Sequence, residues 1–199
     1  MTKTKMANLS RRGFNRKLLI GSAGLSLGAG IAGIARAAQS SAPLNIGIIG
    51  SGRIGGAVGL RWAEAGHQIL FSSRNPGELT DLVERAGGNA RAGYPPEAAE
   101  FGDVVLIAVP YAALPQVGRD FSGLMQGKIV IECGNPVPNR DGPMAEEAVA
   151  KGTGVASAEF LPGVRLVRAF NAIAAGTVNR EAHREGELIA IPIAGDDEE

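Results

Sequence analysis

The residues of this 199-residue chain best suited to chemistry are three glycines, two serines and an arginine. Gly50, Gly52 and Gly55 stand as G-x-G-x-x-G, with Ser51, Arg53 and Ile54 among them. They follow the Ile-rich run Leu44 to Ile49 and precede a stretch with helical spacing. After such a strand, the first glycine permits a tight turn. The second lets the backbone approach a pyrophosphate, and the third lets the helix pack on the strand. The free N–H groups and positive end of that helix then hold the phosphates. A second strand, His67 to Ser72, runs into Ser73, Arg74 and Asn75. Folds that bind NAD place a carboxylate at this point for the ribose 2′-OH, and this chain has none before Glu78. A guanidinium beside small hydroxyls suits a 2′-phosphate instead. The pattern therefore points to NADP(H) over NAD(H). The plainer alternatives are a glycine turn that binds nothing and an Arg74 that is an ordinary solvated cation.

The elements that must position these residues alternate. The sequence predicts strand 44–50, helix 53–65, strand 67–72, helix 77–87, a short strand at 90–92 and a brief helix from Pro95. Then come strand 103–109, a helix or a loop plus helix over 110–121, strand 128–133, a loop over 135–142 and helix 144–151. Strands at 164–170 and 188–194 complete the list. Alternation of this kind predicts an α/β fold: a doubly wound, mostly parallel sheet with helices on both faces. Ligands in such sheets sit at strand C-termini. Two more of these ends are distinctive, Val109-Pro110-Tyr111 and Gly134-Asn135-Pro136. Val109 and Pro110 are expected to cover the adenosine or pyrophosphate. Tyr111 is either a site residue or a packed aromatic with its hydroxyl at the surface. Asn135 is either a donor to the nicotinamide ribose or carboxamide, or a local turn cap.

The remaining reactive residues exclude more than they offer. Cys133 is the single cysteine, so no intramolecular disulfide forms. At the end of an apolar strand it reads as a buried, inert thiol, with a redox role as the alternative. His67 and His183 are too few for a His-based metal site, and no metal is expected. No Ser-His-Asp set or Cys-His pair stands out, and no catalytic side chain is assigned. Hydride transfer needs none, because the cofactor carries the chemistry.

The formal charge of zero conceals two segments. Residues 1–37 hold seven Lys and Arg and no acid, so the remaining 13 cations face all 20 acids, about −7 over 38–199. An acidic body argues against nucleic acid and anionic membrane as partners. Ser10-Arg11-Arg12-Gly13-Phe14 resembles the twin-arginine export consensus. An uncharged, glycine-diluted core follows from Leu18 to Ile34, and Ala35-Arg36-Ala37 resembles a cleavage site. The expectation is a signal peptide over 1–37, cleavage before Ala38, a linker over 38–43 and one domain over 44–199. The product would be periplasmic or secreted, with no stable membrane span. An uncleaved anchor and a misplaced start codon are the alternatives.

Five segments together carry a family likeness: IGIIGSGRIG (46–55), SSRNP (72–76), AVPY (108–111), VRAFNAI (167–173) and IPIAGDDEE (191–199). The chain resembles the NADP-dependent oxidoreductases typified by the reductase of the deazaflavin coenzyme F420, relatives of the reductase domain of six-transmembrane metalloreductases. The resemblance implies a Rossmann domain. It implies that Ser51, Gly52, Arg53 and Ile54 lie against the pyrophosphate and that Ser73 and Arg74 hold the 2′-phosphate. It further implies that the turn from Asn171 to Ala175 approaches the nicotinamide. The second substrate would be a small redox acceptor, flavin-like or deazaflavin. A non-catalytic dinucleotide-binding module is the rival reading, and an imine or 2-ketoacid reductase a third. Two departures matter. Glu78 stands where some members have a lysine for the 2′-phosphate. The sequence also stops at Glu199, where the family continues into a closing layer. A C-terminally truncated domain is therefore expected, with low stability as a monomer or pairing as a homodimer.

Overall fold

The computed structural model describes residues 42–195. The leader, its cleavage site before Ala38 and the acidic residues 196–199 lie outside the described residues. The sheet has seven strands: β1 (Asn45–Ile49), β2 (Gln68–Ser72), β3 (Ala90–Gly93), β4 (Val104–Ile107), β5 (Ile129–Glu132), β6 (Arg165–Arg168) and β7 (Ala194–Gly195). Their order is β3-β2-β1-β4-β5-β6-β7. Neighbours pair parallel except β6 and β7, which pair antiparallel. This is the doubly wound Rossmann arrangement, with its switch point between β1 and β4.

The apolar strands fold this way because both faces are covered. Ile49, Leu70, Val105, Ile107 and Val130 point into one layer. That layer is closed by α3 (Pro95–Phe101), α4 (Leu114–Phe121), α6 (Pro143–Lys151) and α7 (Thr153–Phe160). Ile46, Ile48, Ile69, Phe71 and Leu106 point into the other. That side is closed by α1 (Arg53–Glu64), α2 (Thr80–Ala86) and α8 (Ala175–Glu181). Each large apolar side chain so buried contributes roughly 1.5–3 kcal/mol.

Four local expectations need correction. The helix over 77–87 is a 3-10 turn, Pro76–Leu79, followed by α2. The loop over 135–142 contains the short helix α5 (Pro138–Asp141), which Pro138 starts in a first-turn position. Helices α7 and α8 were not foreseen. Their glycines, threonines and valines are weak helix formers, and the buried contacts of Ala156, Ser157 and Val178 hold them in place. Of the strand expected over 188–194 only Ala194 belongs to β7; Leu188 and Ile193 are exposed. No described helix is long and apolar enough to cross a membrane.

Candidate dinucleotide site

The glycine turn joins β1 to α1. Gly50 has φ +94°, a region that side chains rarely enter, and a Cβ there would lie 2.7 Å from the Ala108 carbonyl oxygen. Ser51 N–H donates to the Ser72 carbonyl at 3.0 Å and ties the turn to β2. A Cβ on Gly52 would meet nothing within 4 Å, so open space lies above the backbone there. Gly55 has no room for one, because it would collide with the Gly50 carbonyl. Helix α1 begins at Arg53 without a side-chain cap, which leaves its first-turn N–H groups to an outside acceptor. The Ser51 hydroxyl is buried and has no hydrogen-bond partner among the described residues. Such a group is costly unless a ligand or water meets it. Arg53 is exposed, while the half-buried Ile54 side chain packs into the apolar layer between α1 and the sheet.

The end of β2 forms the second wall. Ser73 Oγ accepts the Asn75 N–H at 2.9 Å and shapes the turn. Arg74 is exposed and makes no ion pair among the described residues. Asn75 behaves differently from expectation: its amide donates to Glu78 Oε1 at 3.2 Å, and it does not line the cleft. Its role is to hold the turn. Glu78 does line the cleft beside Ser73 and Arg74.

These parts enclose a cleft of about 740 Å³ at the switch point, a size typical of small-molecule sites. Val109 and Pro110 line it, as do Gln116, Asp120 and Phe121 of α4. The α4 residues escaped the sequence reading. Gln116 and Asp120 are four apart on one helical face and hydrogen-bond at 2.6 Å, a spacing that could have flagged them. Tyr111 turns inward instead of presenting its hydroxyl to solvent. It is 1% exposed and bonds the Ser157 hydroxyl at 3.1 Å. Burial pushes its phenol above the ordinary value.

Beyond β4 the strand ends close on themselves. Asn135 Nδ2 donates to the Asn171 carbonyl at 2.7 Å, so it bridges two turns and is no local cap. Asn135 and Asn171 do not line the 740 Å³ cleft, and neither does the half-buried Ala175 at the start of α8. Phe170 has φ +62°, an uncommon state for an aromatic residue, and packs edge-on to Trp62 at 5.9 Å. Beneath lies a charged pair that sequence patterning did not reveal. Glu132, 2% exposed, sits 3.2 Å from Arg168 Nε. Burial pushes the Glu132 carboxyl up, against the opposing pull of the Arg168 charge. The neighbouring Cys133 thiol donates to the Ile107 carbonyl and is pushed up to about 12, first by burial and then by the Glu132 charge. A thiol so protonated is a poor nucleophile. No cluster of three His, Cys, Asp or Glu among the described residues could hold a metal ion.

Comparison with known proteins gives the same outline. The family model described as NADP oxidoreductase, coenzyme F420-dependent, matches residues 45–136. A hypothetical protein from Sinorhizobium meliloti superposes with TM-score 0.66 at 26% identity, over 78% of this chain and 75% of that one. A candidate F420-dependent NADP-reductase from Arthrobacter sp. FB24 gives 0.65 at 17% identity, over 78% and 74%. An imine reductase from Myxococcus stipitatus, solved with NADP+, gives 0.51 at 15% identity, over 67% of this chain and 43% of that one. The last two likenesses speak to fold alone.

Proposed function

Residues 45–136 match the family model of the NADP oxidoreductases, coenzyme F420-dependent, and on that premise we propose that the chain binds NADP(H) and passes a hydride between it and a flavin-like or deazaflavin acceptor. One observation carries the reading. A single cleft joins the open backbone at Gly52, the unpartnered Ser51 hydroxyl and the Arg74 guanidinium, which has no ion pair among the described residues. These are unmet needs that a phosphorylated dinucleotide would meet. Ser51 to Gly55 would hold the pyrophosphate through backbone N–H groups. Ser73 and Arg74 would hold the 2′-phosphate, and Val109 and Pro110 would cover the adenosine side. Asn135, Asn171 and Ala175 would stand toward the nicotinamide. When bound, that ring supplies the hydride chemistry; the chain binds it, orients it and excludes water.

The test is calorimetric titration with NADPH and NADH in parallel. Tight binding of NADPH alone supports the reading, and binding of neither overturns it. A non-catalytic binding module is the second reading. It is favoured by the Asn135 amide, which is already donated to Asn171. Oxidation of NADPH in the presence of flavin or deazaflavin separates the two. We further propose export through the twin-arginine route, on the strength of Arg11-Arg12 and Ala35-Arg36-Ala37. N-terminal sequencing of secreted protein should begin at Ala38; a start at Met1 or Thr2 refutes the cleavage.

A further inference from the structure

We propose that Glu132 is a positioning residue, which with Arg168 fixes the turns after β5 and β6 as the wall for the nicotinamide half of the cofactor. The inference rests on the dinucleotide reading above. Glu132 and Arg168 are the last residues of adjacent parallel strands and are paired in register. Their contacts converge on one residue. Glu132 Oε1 accepts the Gly134 N–H, and Arg168 Nη2 donates to the Gly134 carbonyl at 2.6 Å. The pair thus holds both backbone polar groups of Gly134. A Cβ on Gly134 would lie 2.5 Å from Glu132 Oε1 and 3.2 Å from the Tyr111 ring, so no larger residue fits between them.

The remaining contacts tie this grip to its surroundings. Ser157 Oγ donates to Glu132 Oε2 at 3.1 Å, and Tyr111 bonds Ser157 in turn. Tyr111 follows Pro110 of the cleft wall directly. On the other side, Asn135 follows Gly134 and bonds the Asn171 carbonyl at 2.7 Å. Arg140 Nη2 donates to the Asn135 carbonyl at 2.7 Å. The strained Phe170 lies between Arg168 and Asn171. A buried ion pair is weak evidence for stability, because desolvation offsets much of the attraction. Here the charges grip turn backbone at a strand end, where a wall one ångström out of place would weaken a ligand.

Glu132→Gln in the full chain keeps the shape and removes the charge. Its affinity is measured for NADPH and for adenosine 2′,5′-bisphosphate, which lacks the nicotinamide. NADPH should bind about tenfold more weakly, with the fragment within about twofold. Emission of the bound NADPH should also shift toward that of free NADPH. Amide exchange should quicken at 133–136 and 170–173 and stay unchanged at 50–56. Equal losses for both ligands in a folded variant, or no change in either, overturn the proposal. If the Gln variant does not melt cooperatively, Arg168→Lys must give the same split. Failure of the wild-type chain to bind either ligand refutes the dinucleotide reading. The exchange data then still decide whether Glu132 holds the two turns.

Discussion

At the ends of β1 and β2 the polar groups are left open, whereas at the ends of β5 and β6 they are tied to one another. Ser51 Oγ is buried without a partner and Arg74 has no ion pair among the described residues. Across the sheet, Glu132, Arg168, Ser157 and Tyr111 bond each other and the backbone, and Asn135 bonds Asn171. Both regions sit on strand C-termini of one sheet, yet one leaves its polar groups open and the other uses most of its capacity internally, with Arg168 Nε facing Glu132 as an ion pair without a hydrogen bond. The physical cost explains the division. Unmet buried polar groups cost about 1–3 kcal/mol each, so few are tolerated: among the described residues Ser51 Oγ stands at the cleft, whereas Arg61 Nε and Arg168 Nε, also without a hydrogen bond, lie away from it.

The contrast predicts different mutational signatures: stability loss on the closed side, with any affinity loss confined to the nicotinamide half, and affinity loss without stability loss on the open side. Arg168→Met should have the largest effect. It leaves the Glu132 carboxylate buried and unpaired, at a cost of about 3–5 kcal/mol, read as a lower urea midpoint. An unchanged midpoint would dissolve the distinction between the two sides. Arg74→Ala should leave the midpoint untouched and weaken NADPH by about 10- to 100-fold, or 1.5–3 kcal/mol, with little change for NADH. Equal losses for both cofactors would make Arg74 merely structural.

Asp141 sharpens the comparison, since it belongs to the closed side and titrates. Its carboxylate accepts the Val137 and Ala112 N–H groups and pairs with Arg140 at 2.7 Å. The Arg140 hydrogen bonds hold its carboxyl at about 2, below the ordinary 3.8. With the folded value depressed, the stabilisation is complete above about pH 4 and fades as pH falls through about 2. Asp141→Asn should cost about 1–3 kcal/mol at neutral pH and flatten the acid limb of a stability profile between those values. Glu78→Gln should have the smallest effect. It removes a like charge from the 2′-phosphate wall and should tighten NADPH by about twofold to fivefold, within the roughly 0.2–1 kcal/mol of exposed charge pairs. A weaker NADPH complex would mean that Glu78 serves the turn through Asn75 and repels nothing.

The open side was the more legible one in the sequence because its signals are local. The apolar run before Gly50, the glycine spacing and the Ser73-Arg74 pair lie within one βαβ unit, where neighbours in sequence are neighbours in space. Even there the hydrogen bond from the Asn75 side chain to Glu78, three residues on, was not foreseen. The closed side was illegible for the opposite reason. Glu132 and Arg168 are 36 positions apart in the chain, and neither carries a spacing motif. Ser157 lies on α7, a helix too weakly patterned to foresee.

The sequence by itself determined the alternation of strands and helices, the parallel sheet and the backbone chemistry of the glycine turn. Apolar periodicity and glycine stereochemistry act over a few residues and leave a readable trace. Only the tertiary structure decided which polar groups satisfy one another. It joined the last residues of β5 and β6 into a buried ion pair, turned the Tyr111 hydroxyl inward and bridged Asn135 to Asn171. Those pairings depend on strand register and on helices packed from distant parts of the chain, and burial makes them strong only once the sheet has assembled.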